Sequence, residues 1–167
     1  AFLGRAGKKV LLLDKAKFPR DKTCGDAISG KSISVLKELG LTDKVELAPH
    51  AKISGIVFSS PDGTVAEIPV PQNSQTSINY GYVSRREVFD NVLFENAKQY
   101  STVIEEFKVT GLIKENDFVV GVKGIHMPTK EEKSFGARIV VGADGANSIV
   151  ARLLGLANIE QKHLCVA

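Results

Sequence analysis

One stretch near the carboxyl end constrains the fold most: ARIVVGADGANSIVARLLG, residues 137–155. Residues 138–141 are apolar apart from the first, which predicts a strand buried on both faces, as in a parallel sheet. Gly142 and Gly145 then let the backbone approach a ligand closely, and Asp144 can accept hydrogen bonds from its hydroxyl groups. Ser148 caps the short helix that follows, whose amino terminus suits a phosphate. The same residues also fit a plain strand-to-helix turn in which Asp144 satisfies only local backbone.

A second apolar run lies near the amino end of the chain. Residues 8–13 are rich in Val and Leu, which is typical of a buried strand, and Asp14 ends it. An acid at the end of the second strand of a dinucleotide fold accepts hydrogen bonds from an adenosine ribose. The glycine-rich turn of such a fold belongs roughly 20 residues upstream of the acid, whereas thirteen residues precede Asp14. Asp14 is therefore either a ribose ligand or an exposed acid that ends a strand.

Several elements separate the two apolar runs. Periodicity and turn residues predict, in order, a helix capped by Asp26 and ending before Gly40, a hairpin over residues 52–70, a helix starting at the capping-box pair Ser84 and Glu87, and strands over 102–107, 109–114, 118–126 and 132–135. This order favours an α/β fold of mixed type, with an incomplete Rossmann-like sheet and an inserted antiparallel β layer.

Composition excludes several classes of function. The net charge of +3 is spread along the chain without a basic cluster, which argues against nucleic acid as a partner. The three histidines, His50, His126 and His163, have no ligand spacing, so no metal site is expected. Cys24 and Cys165 lie far apart in a chain without a recognisable signal peptide, which predicts free thiols and a cytoplasmic location.

Three further residues are candidates for a functional site. Cys24 and Gly25 come just before a predicted helix, whose dipole can lower the pKa of a thiol; a buried and inert cysteine is the alternative. Arg86 falls in the first turn of another predicted helix, where its charge opposes the dipole. An acidic neighbour would explain it, and so would a solvated surface position.

Four segments together resemble the geranylgeranyl reductase family of FAD-dependent oxidoreductases, within the wider p-hydroxybenzoate-hydroxylase-like flavoproteins. They are LGRAGKKVLLLDK, the Pro-x-x-x-x-Cys-Gly segment at residues 19–25, the Arg-x-x-Phe-Asp motif at residues 86–90, and VVGADGANSIVAR. All four stand in the family's order. The resemblance implies an FAD-binding sheet, and it runs nearly from end to end of the chain.

The resemblance also implies roles for single residues. Asp14 would bind the adenosine ribose of FAD with Lys15 beside it, and Arg86 would lie along the phosphate and ribitol portion. Asp144 and Gly145 would approach that portion from the other side, with Ser148 next to them. Cys24 and Gly25 would lie near the isoalloxazine or the substrate entrance, with no proton transfer assigned to the thiol.

The activity implied is reduction of double bonds in a prenyl or other lipid-like substrate by reduced FAD, with NAD(P)H or another donor reducing the flavin. An apolar substrate implies peripheral contact with a membrane. By resemblance, residues 1–50 form part of the FAD-binding domain, residues 51–84 a substrate-side β segment, and residues 85–167 the continuation of the FAD-binding domain. The family's amino-terminal glycine motif is absent, so we expect an internal piece of a longer protein, inactive alone and prone to self-association.

Two alternatives remain open. A flavin monooxygenase or halogenase of the same superfamily shares the Asp-Gly motif, although the Pro-x-x-x-x-Cys-Gly segment argues against it. A noncatalytic β-rich binding or assembly module, with its flavin motifs as remnants, is the other.

Overall fold

The computed structural model describes residues 1–24, 26–71 and 78–157, and the chain divides into two compact units. The first unit contains Ala1–Leu12 and Lys17–Val103, and the second contains Leu13–Ala16 and the chain from Ile104 onward. The helices are α1 (Phe2–Arg5), α2 (Gly30–Leu39), α3 (Thr42–Leu47), α4 (Arg86–Lys98) and α5 (Ile149–Leu153). The strands are β1 (Leu11–Leu13), β2 (Ala27–Ile28), β3 (Ala51–Ile53), β4 (Gly55–Ser59), β5 (Val65–Pro69), β6 (Gly81–Val83), β7 (Thr102–Ile104), β8 (Phe107–Glu115), β9 (Phe118–His126) and β10 (Glu132–Gly136).

The core of the first unit is built on α2, α3 and a small antiparallel sheet of order β2-β6-β3. Tyr82 lies in the middle of β6 and is fully buried, and its hydroxyl donates a hydrogen bond to Glu46. Burial raises the pKa of Tyr82, so the hydroxyl keeps its proton. The polar end of the ring is therefore satisfied inside an apolar core. The apolar members of this core are Ile28, Ile33, Leu36, Leu41, Val45 and Ile78.

Helix α2 starts later than its predicted cap. The N-cap is Ser29, whereas Asp26 lies outside the helix with a φ of 58°. Asp26 is held there because its carbonyl accepts the N–H of Ser84 at 3.0 Å, which continues the pairing of β2 with β6. The predicted end is confirmed, since Gly40 has a φ of 70°, a conformation that glycine adopts without a Cβ penalty.

The predicted hairpin is confirmed as the antiparallel pair of β4 and β5. In the turn between them, Asp62 accepts the N–H of Thr64 at 2.9 Å and the hydroxyl of Ser60. These bonds fix the turn locally. The register places four apolar residues on one face of the hairpin, and all of them are exposed: Ile56, Phe58, Ala66 and Ile68.

Helix α4 is confirmed, but its predicted capping box is wrong. Arg85 occupies the N-cap position and makes no capping hydrogen bond with its side chain. Ser84 is buried instead, and its hydroxyl donates to the carbonyl of Pro49 at 3.0 Å. Ser84 belongs to the end of the β6 ladder, and this tertiary pairing takes the serine away from the helix terminus.

The second unit contains an antiparallel meander of order β10-β9-β8, which confirms the strands predicted over 109–114, 118–126 and 132–135. The strand predicted over 102–107 ends early, as β7 (Thr102–Ile104), and Phe107 belongs to β8 instead. Phe107 of β8 is 1% exposed, and its ring meets that of Phe135 edge-on at 5.4 Å. A Cβ at Gly124 would lie 2.6 Å from the Phe107 ring. Glycine at this position is what lets β9 pack closely against the buried ring.

Residues 138–141 do not form the predicted buried strand. They take part in no ladder within the described ranges, and Ile139 and Val141 are 80% and 71% exposed. An apolar run becomes a strand only where a neighbour supplies the ladder bonds, and the pairing of β10 with β9 ends at Gly136. β1 confirms a strand before Asp14, but it is shorter than predicted and only half-buried.

Helices and antiparallel sheets together agree with the predicted mixed α/β class. In the part of the chain that the structure describes, no helix is both long enough and apolar enough to cross a membrane.

Candidate functional site

One face of α4 contacts residues 18–24, here named the cysteine segment. Arg86, Asp90 and Phe94 share this face because they follow each other at intervals of four residues. Phe18 stacks on Phe94 with ring centroids 4.0 Å apart and planes 8° apart. Arg20 bonds to Asp90, one helical turn closer to the start of α4. The cysteine segment therefore runs along the helix toward Arg86.

The carboxylate of Asp90 holds two arginines. Arg86 donates from Nε to Oδ1 and from Nη2 to Oδ2, both at 2.8 Å, and Arg20 donates from Nη1 to Oδ2 at 3.0 Å. Only 10% of the Asp90 side chain is exposed, against 26% for Arg20 and 23% for Arg86. The hydrogen bonds to Asp90 raise the pKa of Arg86, so its guanidinium stays charged. These three residues, here named the arginine cluster, carry one net positive charge.

Sequence reasoning found only part of the arginine cluster. The acidic neighbour expected for Arg86 is confirmed as Asp90, and the i,i+4 spacing of the two residues is a signal that indicates such a pair. Arg20 was missed. It lies 70 residues from Asp90 along the chain, and no local pattern joins the two.

Cys24 lies beside Arg86, and its side chain is exposed. A backbone hydrogen bond from Asp26, followed by the Arg86 guanidinium, lowers the pKa of the thiol. From the sequence, the dipole of the following helix was the predicted cause of a lowered thiol pKa. That helix, α2, begins only at Gly30. The charge and the donor that act on the thiol therefore come from the start of α4 and from the residues before β2. Gly25 lies outside the described residues.

Asp14 directly follows β1 and is half-buried, whereas Lys15 is exposed. Oδ1 of Asp14 accepts the N–H of Ala16 at 2.8 Å. Oδ2 accepts no hydrogen bond from the residues that the structure describes. The backbone N–H of Asp14 donates to the carbonyl of Ile104 at 3.1 Å, which fixes the position of the acid. The carboxylate thus has acceptor capacity left for a hydroxyl group.

Asp144 closes a local network at the start of α5. Its Oδ2 accepts the N–H of Ile149 at 2.7 Å and its Oδ1 accepts the Ser148 hydroxyl, while Ser148 Oγ accepts the N–H of Ala151 at 3.0 Å. Desolvation alone would raise the pKa of Asp144, but the bonds from Ser148 and Ile149 outweigh it and lower that pKa. The structure shows the local turn that the sequence left open. Ligand binding by Asp144 and Ser148 stays a prediction.

The two glycines beside Asp144 differ in what surrounds them. A Cβ at Gly142 would lie 2.7 Å from Cβ of Val150, so this backbone packs against α5. Gly145 has a φ of 82°, and a Cβ there would meet no atom within 4 Å. Open backbone suited to close approach of a ligand is therefore found at Gly145 and not at Gly142.

Each of the two units, taken by itself, offers polar groups of a kind that FAD requires. Phosphate oxygens are bound by guanidinium groups with net positive charge. Arg86 is in such a position, because Asp90 accepts from its Nε and Nη2 while Arg20, on the same carboxylate, leaves the arginine cluster with one net positive charge. Ribose hydroxyls are bound by carboxylate acceptors of the kind that Asp14 offers.

Relatives by sequence match nearly the whole chain. It is 30% identical over 98% of its length to conditioned medium factor receptor 1 of Dictyostelium discoideum. It is 33% identical over 90% to digeranylgeranylglycerophospholipid reductase of Methanosarcina mazei, and 31% identical over 93% to menaquinone reductase of Mycobacterium tuberculosis. The matched part spans 34%, 35% and 36% of these three proteins. The resemblance to geranylgeranyl reductases is confirmed by these matches.

Solved structures confirm the predicted class of fold. The myxobacterial chondrochloren halogenase CndH is 24% identical with a TM-score of 0.73, and the match covers 83% of this chain and 32% of the halogenase. The probable FAD-dependent monooxygenase pqsL of Pseudomonas aeruginosa is 20% identical with a TM-score of 0.74, covering 95% of this chain and 42% of the monooxygenase. At these identities the likeness shows the fold alone.

The family model described as "FAD binding domain" matches residues 1–166. This match confirms FAD as the predicted cofactor and supports an FAD-dependent oxidoreductase as the parent enzyme. The chain belongs to the FAD binding domain family.

Proposed function

We propose that the chain is the FAD-binding part of a reductase that acts on double bonds of a prenyl or other lipid-like substrate. The names of two relatives support this proposal: one is a digeranylgeranylglycerophospholipid reductase and the other a menaquinone reductase. The first name itself denotes a lipid with geranylgeranyl groups, which are prenyl groups. The whole protein's reaction is a proposal because the chain spans about a third of these relatives.

The contact between the cysteine segment and α4 carries the proposal. The Pro-x-x-x-x-Cys-Gly segment and the Arg-x-x-Phe-Asp motif are far apart in the sequence, and each resembles the geranylgeranyl reductases. The structure joins them through Arg20 and Asp90 and brings Cys24 beside Arg86. Accidental matches to the two motifs would have no reason to form one charged cluster.

Within the first unit, Arg86 would contact the phosphate and ribitol portion of FAD while Asp90 fixes its orientation. Cys24, with Gly25, would lie toward the flavin ring or the substrate entrance, where an exposed thiol is accessible. Reduced FAD, when bound, supplies a hydride for the double bond. The arginine cluster itself binds and orients, and no proton transfer is assigned to it.

Within the second unit, Asp14 would accept hydrogen bonds from the adenosine ribose through its open Oδ2, with Lys15 beside it. Gly145 would present its exposed backbone to the cofactor. Asp144 and Ser148 would act by holding this turn in place, since their polar atoms already bond to each other and to the start of α5.

Anaerobic turnover of the intact protein tests the reaction. We expect reduced FAD and a geranylgeranyl lipid to give a product that has gained one pair of hydrogens for each double bond, with flavin oxidised in equal amount. Mass spectrometry of the lipid and the flavin absorbance measure both. Oxygen-dependent hydroxylation or halogenation of a substrate, with no saturated lipid, would contradict the reductase and favour the alternative flavin chemistry.

A noncatalytic binding module is a second candidate, since a relative 30% identical over 98% of the chain is named a receptor. Failure of the intact protein to bind FAD would favour this candidate.

We also propose that NAD(P)H or another electron donor reduces the flavin, and that the protein is cytoplasmic with peripheral contact to a membrane. Self-association of the 167-residue chain is a further proposal. A light-scattering mass equal to that of the monomer would exclude self-association.

A further inference from the structure

The arginine cluster differs in charge from an ordinary helix ion pair. Arg86 and Asp90 bond through two parallel hydrogen bonds of 2.8 Å and would by themselves be neutral. Arg20 adds a second cation to the same carboxylate through Oδ2. A neutral pair attracts a phosphate only weakly, whereas a cluster with one net positive charge attracts it at longer range. Arg20 is thus the residue that makes the charge of this cluster positive.

Arg20 is also held in place by contacts within the chain. Its guanidinium carbon lies 5.0 Å from the centre of the Phe18 ring, and that ring stacks on Phe94 of α4. A guanidinium fixed by an aromatic face and a carboxylate loses little further freedom on binding. With 26% of its side chain exposed, Arg20 is partly accessible to solvent.

We propose that Arg20 is a positioning residue for the cofactor phosphate: by sharing Asp90 with Arg86, it leaves the charge of Arg86 available to an anionic group. The inference rests on the proposed function, because Arg86 is assigned to the phosphate portion of FAD there. The proposed function places the cysteine segment near the flavin. The inference adds that the same segment contributes to cofactor binding through Arg20.

The experiment measures the dissociation constant of FAD for the intact protein by flavin fluorescence at low and at high salt. Arg20→Gln removes the charge, and Arg20→Lys keeps both the charge and a donor for the single bond to Asp90. Arg85→Gln is the matched control, because Arg85 lies next to Arg86 but is 71% exposed and bonds to Glu87.

We expect Arg20→Gln to raise the dissociation constant of FAD about tenfold at low salt. A change of this size is typical when one charged interaction is lost. The loss should shrink at high salt, where the missing charge is screened. Arg20→Lys should restore most of the affinity, and Arg85→Gln should bind like the unmodified protein.

Unchanged affinity in Arg20→Gln would overturn the inference and leave the proposed function intact. An equal loss at both salt concentrations, or a loss that lysine does not restore, would also overturn it, since a purely structural role predicts that pattern. Absence of FAD binding by the unmodified protein would overturn the proposed function, and the inference with it.

Discussion

Cys24 and Arg86 are neighbours in the structure although they are far apart in the sequence. A backbone hydrogen bond from Asp26 and the guanidinium of Arg86 lower the pKa of the thiol, so its thiolate forms at lower pH than that of a free cysteine. This relationship joins two of the four segments that resemble the reductase family.

Alkylation of Cys24 should show this shift. In a Cys165→Ser background, we expect the midpoint of the alkylation rate against pH to lie below the value of about 8.5 for an unperturbed thiol. Arg86→Gln should raise the midpoint, and Arg85→Gln should leave it in place. An unchanged midpoint in Arg86→Gln would show that the guanidinium does not act on the thiol.

Asp90 should matter more for stability than other carboxylates of α4. Asp90→Asn leaves two guanidinium groups without their charged partner, and we expect a loss of about 2–3 kcal/mol in the free energy of unfolding. Glu95→Gln on the same helix is the control, because Glu95 is 54% exposed and its partner is the surface residue Lys98. Its loss should stay below about 0.5 kcal/mol. Urea unfolding measures both, and equal losses would contradict the central role of Asp90.

Most of the fold that the sequence predicted depends on local patterns. The hairpin of β4 and β5, helix α4 and the meander of β8 to β10 each have their own turn residues or periodicity, and each is present. Predictions were wrong where the presence or absence of a distant partner decided the structure. Residues 138–141 lack a strand neighbour among the described residues, and Asp26 and Ser84 pair with each other instead of capping helices.

The candidate site shows the same limit. Arg86 and Asp90 lie within one helix, so their spacing predicts the ion pair. Arg20 depends on the stacking of Phe18 on Phe94, a contact between distant segments that no local pattern indicates. The local network of Asp144 is one of the two interpretations that the sequence left open, and the structure shows it through the bond from the N–H of Ile149.

Substitution of Gly145 should destabilise the protein because its backbone has a positive φ. With a φ of 82° and open space around it, Gly145→Ala should lose about 1–2 kcal/mol of stability from strain alone. Gly145→Asn should lose less, because asparagine tolerates this region better. Gly136→Ala is the control, since the nearest atom to its Cβ would be 3.9 Å away. Thermal unfolding measures the three variants, and equal losses in Gly145→Ala and Gly136→Ala would exclude strain.

The pKa of the Asp62 carboxyl should lie far below that of an ordinary aspartate. The hydroxyl of Ser60 and the N–H of Thr64 lower its pKa from 3.8 to about 2. A lowered folded-state pKa means that its contribution to the turn is present above the unfolded pKa and is lost as the pH falls toward 2. NMR titration of the Asp62 carboxyl measures this pKa. Ser60→Ala should raise it, and a value near 3.8 in the unmodified protein would contradict the turn geometry.

Calorimetric titration of FAD into the intact protein is the most direct test of cofactor binding. We expect saturable binding of one FAD per chain, weakened about tenfold in Asp14→Asn, which keeps the local bond to Ala16 but loses the charge that attracts ribose hydroxyls. Lys108→Gln, a change on the exposed side of β8, should bind FAD unchanged. Absence of binding by the unmodified protein would contradict the assignment of FAD to this chain.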